Sequence, residues 1–315
     1  MVACREGDPA NEVTFTVSTP RFLELPDGVR RTTLETRRGT FAALEALPGS
    51  GVCERLPGLL VPGFTGSKED FLAAMQPLAA AGRRVVAIDM RGQYETRGPE
   101  DPAAYSLSAL GADVRAAGVA LGRGKHVHLV GHSFGGLAAR EAVLAGGPKL
   151  ASLTLMSSGP SRITGSRAVD VKVLLAALAQ IGVRRLWDES LGPQHQADGT
   201  PPKIAAFLRT RLLRSSATGL RVMGEQLLSC EDRVDELVDA ARMAMLVVYG
   251  EEDDAWDTMV QEDMAERLNA QRVCIPAAAH SPAVEAPETT ASTLTSFWNA
   301  AEAPCRTAPG ATTDY

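Results

Sequence analysis

The sequence predicts an α/β fold in which a mostly parallel central sheet is covered by helices on both faces and carries an inserted helical lid. Short, continuously apolar runs alternate with helix-like stretches along most of the chain, as is typical of parallel strands buried on both faces. This alternation stops between residues 161 and 241, where only helix-like stretches occur, and then resumes. Because one crossover between parallel strands needs only about a dozen residues, this segment is longer than the sheet requires.

The first third of the chain predicts the antiparallel edge of the sheet and the first crossover helices. Turns at Pro26-Asp27-Gly28 and Arg38-Gly39 separate the first three apolar runs. The predicted strands are 22–25, 31–35, 40–47, 58–61 and 84–89. Helices are predicted at 67–81 and 107–121.

The rest of the sheet is divided by the insertion. A strand at 127–130, a helix at 134–144 and a strand at 150–156 precede it. Within it the helix-like stretches are 169–178, 203–213 and 220–228. The final elements are a strand at 242–249, a helix at 258–268, a strand at 272–275 and a helix at 289–300.

These elements define the predicted domain organisation. The sheet and its helices form a core from 13–160 and 242–302, and 161–241 forms the lid. Polar or Pro- and Gly-containing ends at 1–12 and 303–315 are expected to be loose tails. The alternative for 161–241 is a second helical domain unrelated to any active site.

Composition excludes several classes of protein. The chain has 315 residues, 45% of them hydrophobic and 22% charged, which is ordinary for a globular protein with a sizeable core. The net charge of −6 and the mixing of both signs argue against nucleic acid as a partner. We find neither a signal peptide nor an apolar run long enough to span a membrane. Five cysteines without a Cys-x-x-Cys pair favour a reduced, cytoplasmic protein; the sequence does not indicate an oligomeric state.

The stretch HLVGHSFGGLAA at 128–139 predicts a nucleophilic serine. A Gly-x-Ser-x-Gly turn between an apolar strand and a helix holds its serine exposed on a sharp bend that small flanking residues tolerate. The helix that follows directs free backbone N–H groups and its positive dipole end to the same place. Ser133 is therefore the predicted nucleophile.

A nucleophilic serine needs a base, and the chain has five histidines from which to choose. His126 and His128 lie on the strand before the serine, and His195 lies in the insertion. His280 follows the last strand, in a loop where such a base is expected. His132 is the alternative, but its adjacency to the serine on a sharp turn would point the two side chains apart.

The orienting acid should follow a strand and precede the histidine. The stretch YGEEDDAW offers Glu251, Glu252, Asp253 and Asp254 just after a strand. A run of four acidic residues is usually a solvated loop, so at most one of them is expected to be functional. The order serine, acid, histidine agrees with the arrangement in which the three meet.

Taken together, GHSFGG, VPGFTGS, AIDMRGQ, YGEEDDAW and AAAHSPAVEAPE resemble the α/β-hydrolase superfamily. The resemblance covers residues 30–300 and is unspecific in the lid. It implies that the acid stands three residues after the glycine that ends its strand, which selects Asp253 after Gly250 and leaves Asp254 as the second choice. It also implies a structural role for the loop Asp89-Met90-Arg91-Gly92.

The resemblance further implies an oxyanion hole of backbone N–H groups. Phe134, after the nucleophile, and Phe64, in the loop after the strand at 58–61, match the family positions, and each such donor contributes roughly 3–4 kcal/mol to the transition state. The chain departs from the pattern at Pro62-Gly63, where relatives commonly carry His-Gly. A backbone donor survives this change, but the anchoring of the loop loses an imidazole.

The sequence therefore predicts a cofactor-free serine hydrolase that cleaves a carboxylic ester, thioester or lactone of a small apolar substrate. Phe64, Phe134, Trp187 and Phe207 are the predicted substrate-binding residues, and Leu174, Leu175 and Met223 are further apolar lid residues. We find no metal-ligand cluster, P-loop or dinucleotide fingerprint. The same three residues also serve C–C bond hydrolysis, acyl transfer and peracid formation, and a non-enzymatic binder on this scaffold is a third possibility. A serine at position 133 argues against epoxide and haloalkane hydrolases, whose nucleophile is an aspartate.

Overall fold

A computed structural model describes residues 17–49, 53 and 55–303. The predicted tail at 1–12 and all but the first residue of the one at 303–315 lie outside this range. The described residues form one eight-stranded sheet in the order β1-β2-β4-β3-β5-β6-β7-β8. Its strands are β1 Val29–Thr36, β2 Gly39–Ala46, β3 Gly58–Val61, β4 Val85–Ile88, β5 Val127–His132, β6 Leu150–Met156, β7 Ala244–Gly250 and β8 Gln271–Ile275.

Strand direction confirms the predicted fold class. The pairs β1–β2 and β2–β4 are antiparallel, and all pairs from β4 through β3 to β8 are parallel. Helices lie on both faces. The α-helices of the described residues are α1 Leu72–Ala80, α2 Leu107–Gly122, α3 Phe134–Leu144, α4 Gly165–Leu186, α5 Gly192–Ala197, α6 Pro202–Arg214, α7 Ala217–Leu227, α8 Val234–Ala240, α9 Thr258–Arg267, α10 Pro282–Glu285 and α11 Pro287–Glu302.

Alternate residues of the central strands pack into two separate apolar clusters. Leu59 and Leu129 belong to the cluster that contains α2 and α3, whereas Leu60 and Val130 belong to the cluster that contains α1 and α11. Because successive side chains of a strand point to opposite faces, continuously apolar strands need cover on both sides. This explains why the strand sequences contain apolar residues at nearly every position.

One predicted strand is absent. Residues 22–25 are irregular, although Phe22 and Leu23 pack against the two clusters as half-buried side chains. Pro20 and Pro26 flank this stretch, and proline has no N–H to donate to a neighbouring strand. The apolar pattern therefore marks burial here without sheet pairing.

The segment between β6 and β7 contains the five helices α4 to α8, and no strand occurs in its described residues. The predicted stretches 169–178 and 203–213 lie within α4 and α6, and 220–228 lies within α7 except for its last residue. Gly182 breaks α4 with a φ of 74°, and a π-helical turn at Trp187–Leu191 follows α4. None of the helices in the described ranges is both long and apolar enough to cross a membrane.

Candidate active site

Ser133 lies on a sharp turn between β5 and α3. Its φ of 54° and ψ of −122° are sparsely populated by residues with a side chain, and such strain concentrates at functional sites. The turn is held because Ser133 N–H donates to Met156 O at 2.8 Å and Gly136 N–H donates to Ser133 O at 2.8 Å. A Cβ at Gly135 would overlap the carbonyl oxygens of Val61 and Pro62, so the turn requires glycine there.

Three of the predicted side chains form one hydrogen-bonded chain. Ser133 Oγ lies 2.9 Å from His280 Nε2, and His280 Nδ1 lies 2.9 Å from Asp253 Oδ1. The loop that carries His280 crosses the end of β7 so closely that a Cβ at Gly250 would overlap the carbonyl oxygens of Ala278 and Ala279. Residues that are far apart in sequence thus meet at the carboxyl ends of β5, β7 and β8.

The Asp253 carboxylate is buried, with 8% of the residue exposed, and is well supplied with donors. Oδ1 also accepts from Ala255 N–H at 3.0 Å, and Oδ2 accepts from the Gln261 amide at 3.0 Å. Burial alone would raise the pKa of Asp253, but the interactions with His280, Ala255 and Gln261 outweigh it and leave the pKa below its usual value. The carboxylate is therefore ionised at neutral pH.

The two alternative residues, His132 as the base and Asp254 as the acid, are not part of this hydrogen-bonded chain. His132 Nε2 donates to the backbone oxygen of His280 at 2.7 Å, and burial lowers the pKa of His132 to about 4, so His132 is neutral and supports the loop. Asp254 forms an ion pair at 2.6 Å with Arg167 of α4. Only Asp253 of the acidic run bonds to His280.

The loop after β3 adjoins the serine. A Cβ at Gly63 would lie 3.0 Å from Ser133 Cβ, so the peptide between Gly63 and Phe64 lies beside the nucleophile position. Phe134 is the first residue of α3, and N–H groups in the first turn of a helix have no acceptor within that helix. Both predicted oxyanion donors therefore belong to backbone next to Ser133; their role stays a prediction.

Ser133 and His280 line a cavity between the sheet and the inserted helices. Trp256, from the loop after β7, lies on its wall with the apolar residues Ile163, Val171 and Leu227. Phe64 lies on its wall and also on the wall of a second cavity. The apolar walls of that second cavity include Trp187, Leu174, Leu175, Leu178, Leu186, Leu191, Leu208, Leu212 and Leu220.

Two of the four predicted substrate-binding rings therefore line cavities, and two do not. Phe134 is fully buried in the cluster of α2 and α3, because the first turn of α3 packs against the sheet. The Phe207 ring packs edge-on against Tyr94, with ring centroids 5.5 Å apart, and under the Arg211 guanidinium. Among the described residues, the structure thus places Phe64 and Trp187 on cavity walls, and Phe134 and Phe207 on neither wall.

Several site residues had escaped the sequence analysis. Trp256 is the second residue after the acidic run, and its Nε1 donates to Ser161 O at 3.0 Å. Gln261 is fully buried on the face of α9 that packs on β7. The only feature that indicates its role is the hydrogen bond from its amide to the buried Asp253 carboxylate, and the sequence does not show that bond. Gln93, within AIDMRGQ, donates to Gly63 O, which the resemblance of that stretch did not suggest.

The fold also brings together a group that the sequence pattern did not indicate as metal-binding. Asp253, Asp254 and His280 each place a potential ligand atom within 4.8 Å of the others. His280 Nδ1 and Asp253 are bonded to each other, and the two Asp254 oxygens accept from Arg167 at 2.6 Å. These potential ligand atoms already take part in the hydrogen-bonded chain and the ion pair, so the arrangement fits a metal ion poorly.

Comparison with known proteins shows the family to which this fold belongs. The family model described as "Alpha/beta hydrolase family" matches residues 59–293, so the chain belongs to the alpha/beta hydrolase family. No curated protein sequence gives a significant match.

The particular structures that the chain resembles share its fold at low identity. An esterase from Thermogutta terrifontis is 21% identical, with a TM-score of 0.68, over 87% of this chain and 100% of the other. A bromoperoxidase from Bacillus anthracis is 14% identical, with a TM-score of 0.69, over 86% and 100%. An enol-lactonase from Burkholderia xenovorans is 17% identical, with a TM-score of 0.67, over 85% and 100%.

Proposed function

We propose that this protein is a cofactor-free serine hydrolase that cleaves a carboxylic ester, thioester or lactone through an acyl-enzyme on Ser133. The observation that carries the proposal is the unbroken chain from Ser133 Oγ through His280 to the buried Asp253 carboxylate, at the wall of a cavity. A serine hydroxyl is a poor nucleophile until an adjacent base takes its proton, and this arrangement supplies that base.

The proposed reaction proceeds in two halves. His280 Nε2 accepts the Ser133 proton as Oγ attacks the carbonyl carbon, and Asp253 stabilises the imidazolium that forms. The N–H groups of Phe64 and Phe134 stabilise the oxyanion of the tetrahedral intermediate. Collapse breaks the bond to the leaving group, which takes its proton from His280. Water then gives a proton to His280 and attacks the acyl-enzyme. Collapse of the second tetrahedral intermediate releases the acid, and His280 returns the proton to Ser133 Oγ.

The apolar residues on the cavity walls favour an apolar substrate. Around Ser133 the inserted helices and the loop after β7 contribute Ile163, Val171, Leu227 and Trp256. The second cavity behind Phe64 is lined mainly by leucines and Trp187, with Thr65, His195 and Arg211 as its polar residues. We therefore propose that the segment 161–241 acts as a lid over the site and that chains of the substrate contact its apolar side.

The test is a panel of p-nitrophenyl esters from acetate to decanoate, with thioesters and lactones, assayed with the wild type and Ser133→Ala. We expect the wild type to hydrolyse at least one class and Ser133→Ala to lose on the order of 10⁶-fold in kcat. Ser229→Ala is a matched control, because its exposed hydroxyl donates only to Glu225 O. Equal rates for the wild type and Ser133→Ala would refute the proposal.

Product analysis in the presence of competing acceptors distinguishes reactions that use the same three residues. Water as the only acceptor gives the free acid, whereas an alcohol or hydrogen peroxide as the preferred acceptor gives a new ester or a peracid. Free acid as the main product supports hydrolysis.

A further inference from the structure

Gln93 joins two buried loops next to the serine. It lies in the loop after β4, only 2% of it is exposed, and its Nε2 donates to Gly63 O at 2.7 Å. Its Oε1 accepts from Met90 N–H at 2.9 Å. A backbone N–H needs an acceptor, so the bond from Met90 assigns the oxygen to that side of the amide and the NH₂ group to Gly63.

This bond controls the orientation of one peptide group. The described residues contain no cis peptide bond, and in a planar trans peptide the C=O and N–H point in opposite directions. Gly63 O is held by the Gln93 amide and by Gly66 N–H at 3.1 Å. The N–H of Phe64 is therefore directed away from Gln93, and Gly63, Phe64 and Ser133 line the same cavity.

The chain needs such an anchor at this loop. Pro62 stands where the resemblance implies a histidine, and a proline has neither an N–H nor a polar side chain. Gly63 offers little resistance to rotation of the following peptide, because it has no Cβ. The anchor itself is fixed, since Gln93 N–H donates to Met90 O and Gln93 O accepts from Thr96 N–H, both at 2.9 Å.

The loop of Gln93 is also held to the start of the helical turn that follows Gly63 and Phe64. Lys68 Nζ lies 2.8 Å from Asp89 Oδ2, and Lys68 N–H donates to Asp89 Oδ1 at 2.8 Å. Both residues are almost fully buried. The two loops therefore form one rigid unit, in which the amide of Gln93 makes the contact to Gly63.

We infer that Gln93 is a positioning residue that directs the N–H of Phe64 toward the oxyanion. This inference rests on the proposed function, because the N–H has that role only if Ser133 attacks a carbonyl. Gln93 touches neither Ser133 nor His280 through any of its described hydrogen bonds, so it acts through the Gly63–Phe64 peptide.

The first test compares Gln93→Leu with the wild type on the best substrate of the ester panel. Removing an oxyanion donor costs about 10²- to 10³-fold in kcat, and a donor that is present but misdirected should cost about 10- to 100-fold. KM should change by less than about threefold, because the oxyanion exists only in the transition state. A phenylboronic acid, which forms a tetrahedral adduct with serine, should bind more weakly by the same factor as kcat/KM falls.

The second test uses pH. In Gln93→Glu an ionised carboxylate would face the Gly63 oxygen and repel it, whereas the protonated acid would again donate to it. The activity of Gln93→Glu relative to the wild type should therefore rise as pH falls, and that of Gln93→Leu should stay constant. Because the change with pH is followed within Gln93→Glu itself, this test remains informative if Gln93→Leu folds poorly.

Gln226→Leu is the matched control. The Gln226 amide also bridges two backbone groups, since its Nε2 donates to Tyr105 O at 2.8 Å and its Oε1 accepts from Leu107 N–H. This variant should lose stability to a similar extent while kcat and boronate affinity stay within about threefold of wild type. The comparison separates a loss of positioning from a loss of stability.

The outcomes distinguish the inference from the proposed function. If the wild type hydrolyses esters and both Gln93 variants retain kcat within threefold, or lose only in KM, the role of Gln93 is refuted and the proposed function stands. If the wild type hydrolyses nothing in the panel, the proposed function fails and the role of Gln93 fails with it. A fall in kcat matched by boronate affinity, with pH recovery only in Gln93→Glu, supports both.

Discussion

His280→Gln is expected to lower kcat for ester hydrolysis on the order of 10⁶-fold with little change in KM. His280 Nε2 lies 2.9 Å from Ser133 Oγ and, among the described residues, is the only imidazole nitrogen that forms a hydrogen bond with it. Glutamine can fill the space and accept a hydrogen bond, but it cannot take up a proton at neutral pH. Steady-state kinetics on the best ester of the panel measures the effect.

His132→Gln is the control for this prediction. His132 is adjacent to the serine in sequence and was the alternative base, but its Nε2 is committed to the His280 carbonyl oxygen, and its pKa near 4 keeps it neutral. Its replacement should disturb the loop and cost about tenfold or less in kcat. If His132→Gln were the dead variant and His280→Gln retained most of its activity, the assignment of the base would be wrong.

Asp253→Asn is expected to lower kcat by about 10⁴-fold, because an amide in place of the carboxylate favours the wrong tautomer of the histidine and does not stabilise the imidazolium. Asp254→Asn should lower kcat by less than about tenfold, because Asp254 pairs with Arg167 and does not bond to His280. The two variants remove the same charge from neighbouring positions, so they form a matched pair.

A pH profile strengthens this comparison. The pKa of Asp253 lies below its usual value despite burial, so the carboxylate is charged throughout the neutral range. The activity that Asp253→Asn loses should therefore not return at any pH between 6 and 8. The prediction is contradicted if Asp254→Asn loses more activity than Asp253→Asn.

The fold was largely predictable from the sequence because parallel strands with cover on both faces require continuously apolar stretches. The strand at 150–156 and the helix at 134–144 agree with β6 and α3 at both ends. The stretch 22–25 was not predictable in the same way, since half-buried chain between two prolines has the apolar content of a strand without a partner. A local apolar pattern indicates that a segment is buried, but it does not indicate which other segment lies beside it.

For the candidate site, the sequence analysis selected Ser133, His280 and Asp253, and the structure brings these three side chains together. The catalytic side chains could be predicted because only a few residue types perform such chemistry, and five histidines leave few choices for a base. Side-chain packing could not be predicted. Phe134 and Phe207 were expected at the substrate, but Phe134 packs in the core and Phe207 packs against the ring of Tyr94. Gln93 and Gln261 act through contacts made by distant segments, which no local pattern records.

The most direct test of the central claim is labelling with a fluorophosphonate, which reacts covalently with an activated serine, followed by mass spectrometry of the digested protein. We predict a single adduct on the peptide that carries Ser133, absent from Ser133→Ala and formed far more slowly in His280→Gln. An unlabelled wild type, or an adduct that persists in Ser133→Ala, would contradict the claim that Ser133 is the nucleophile.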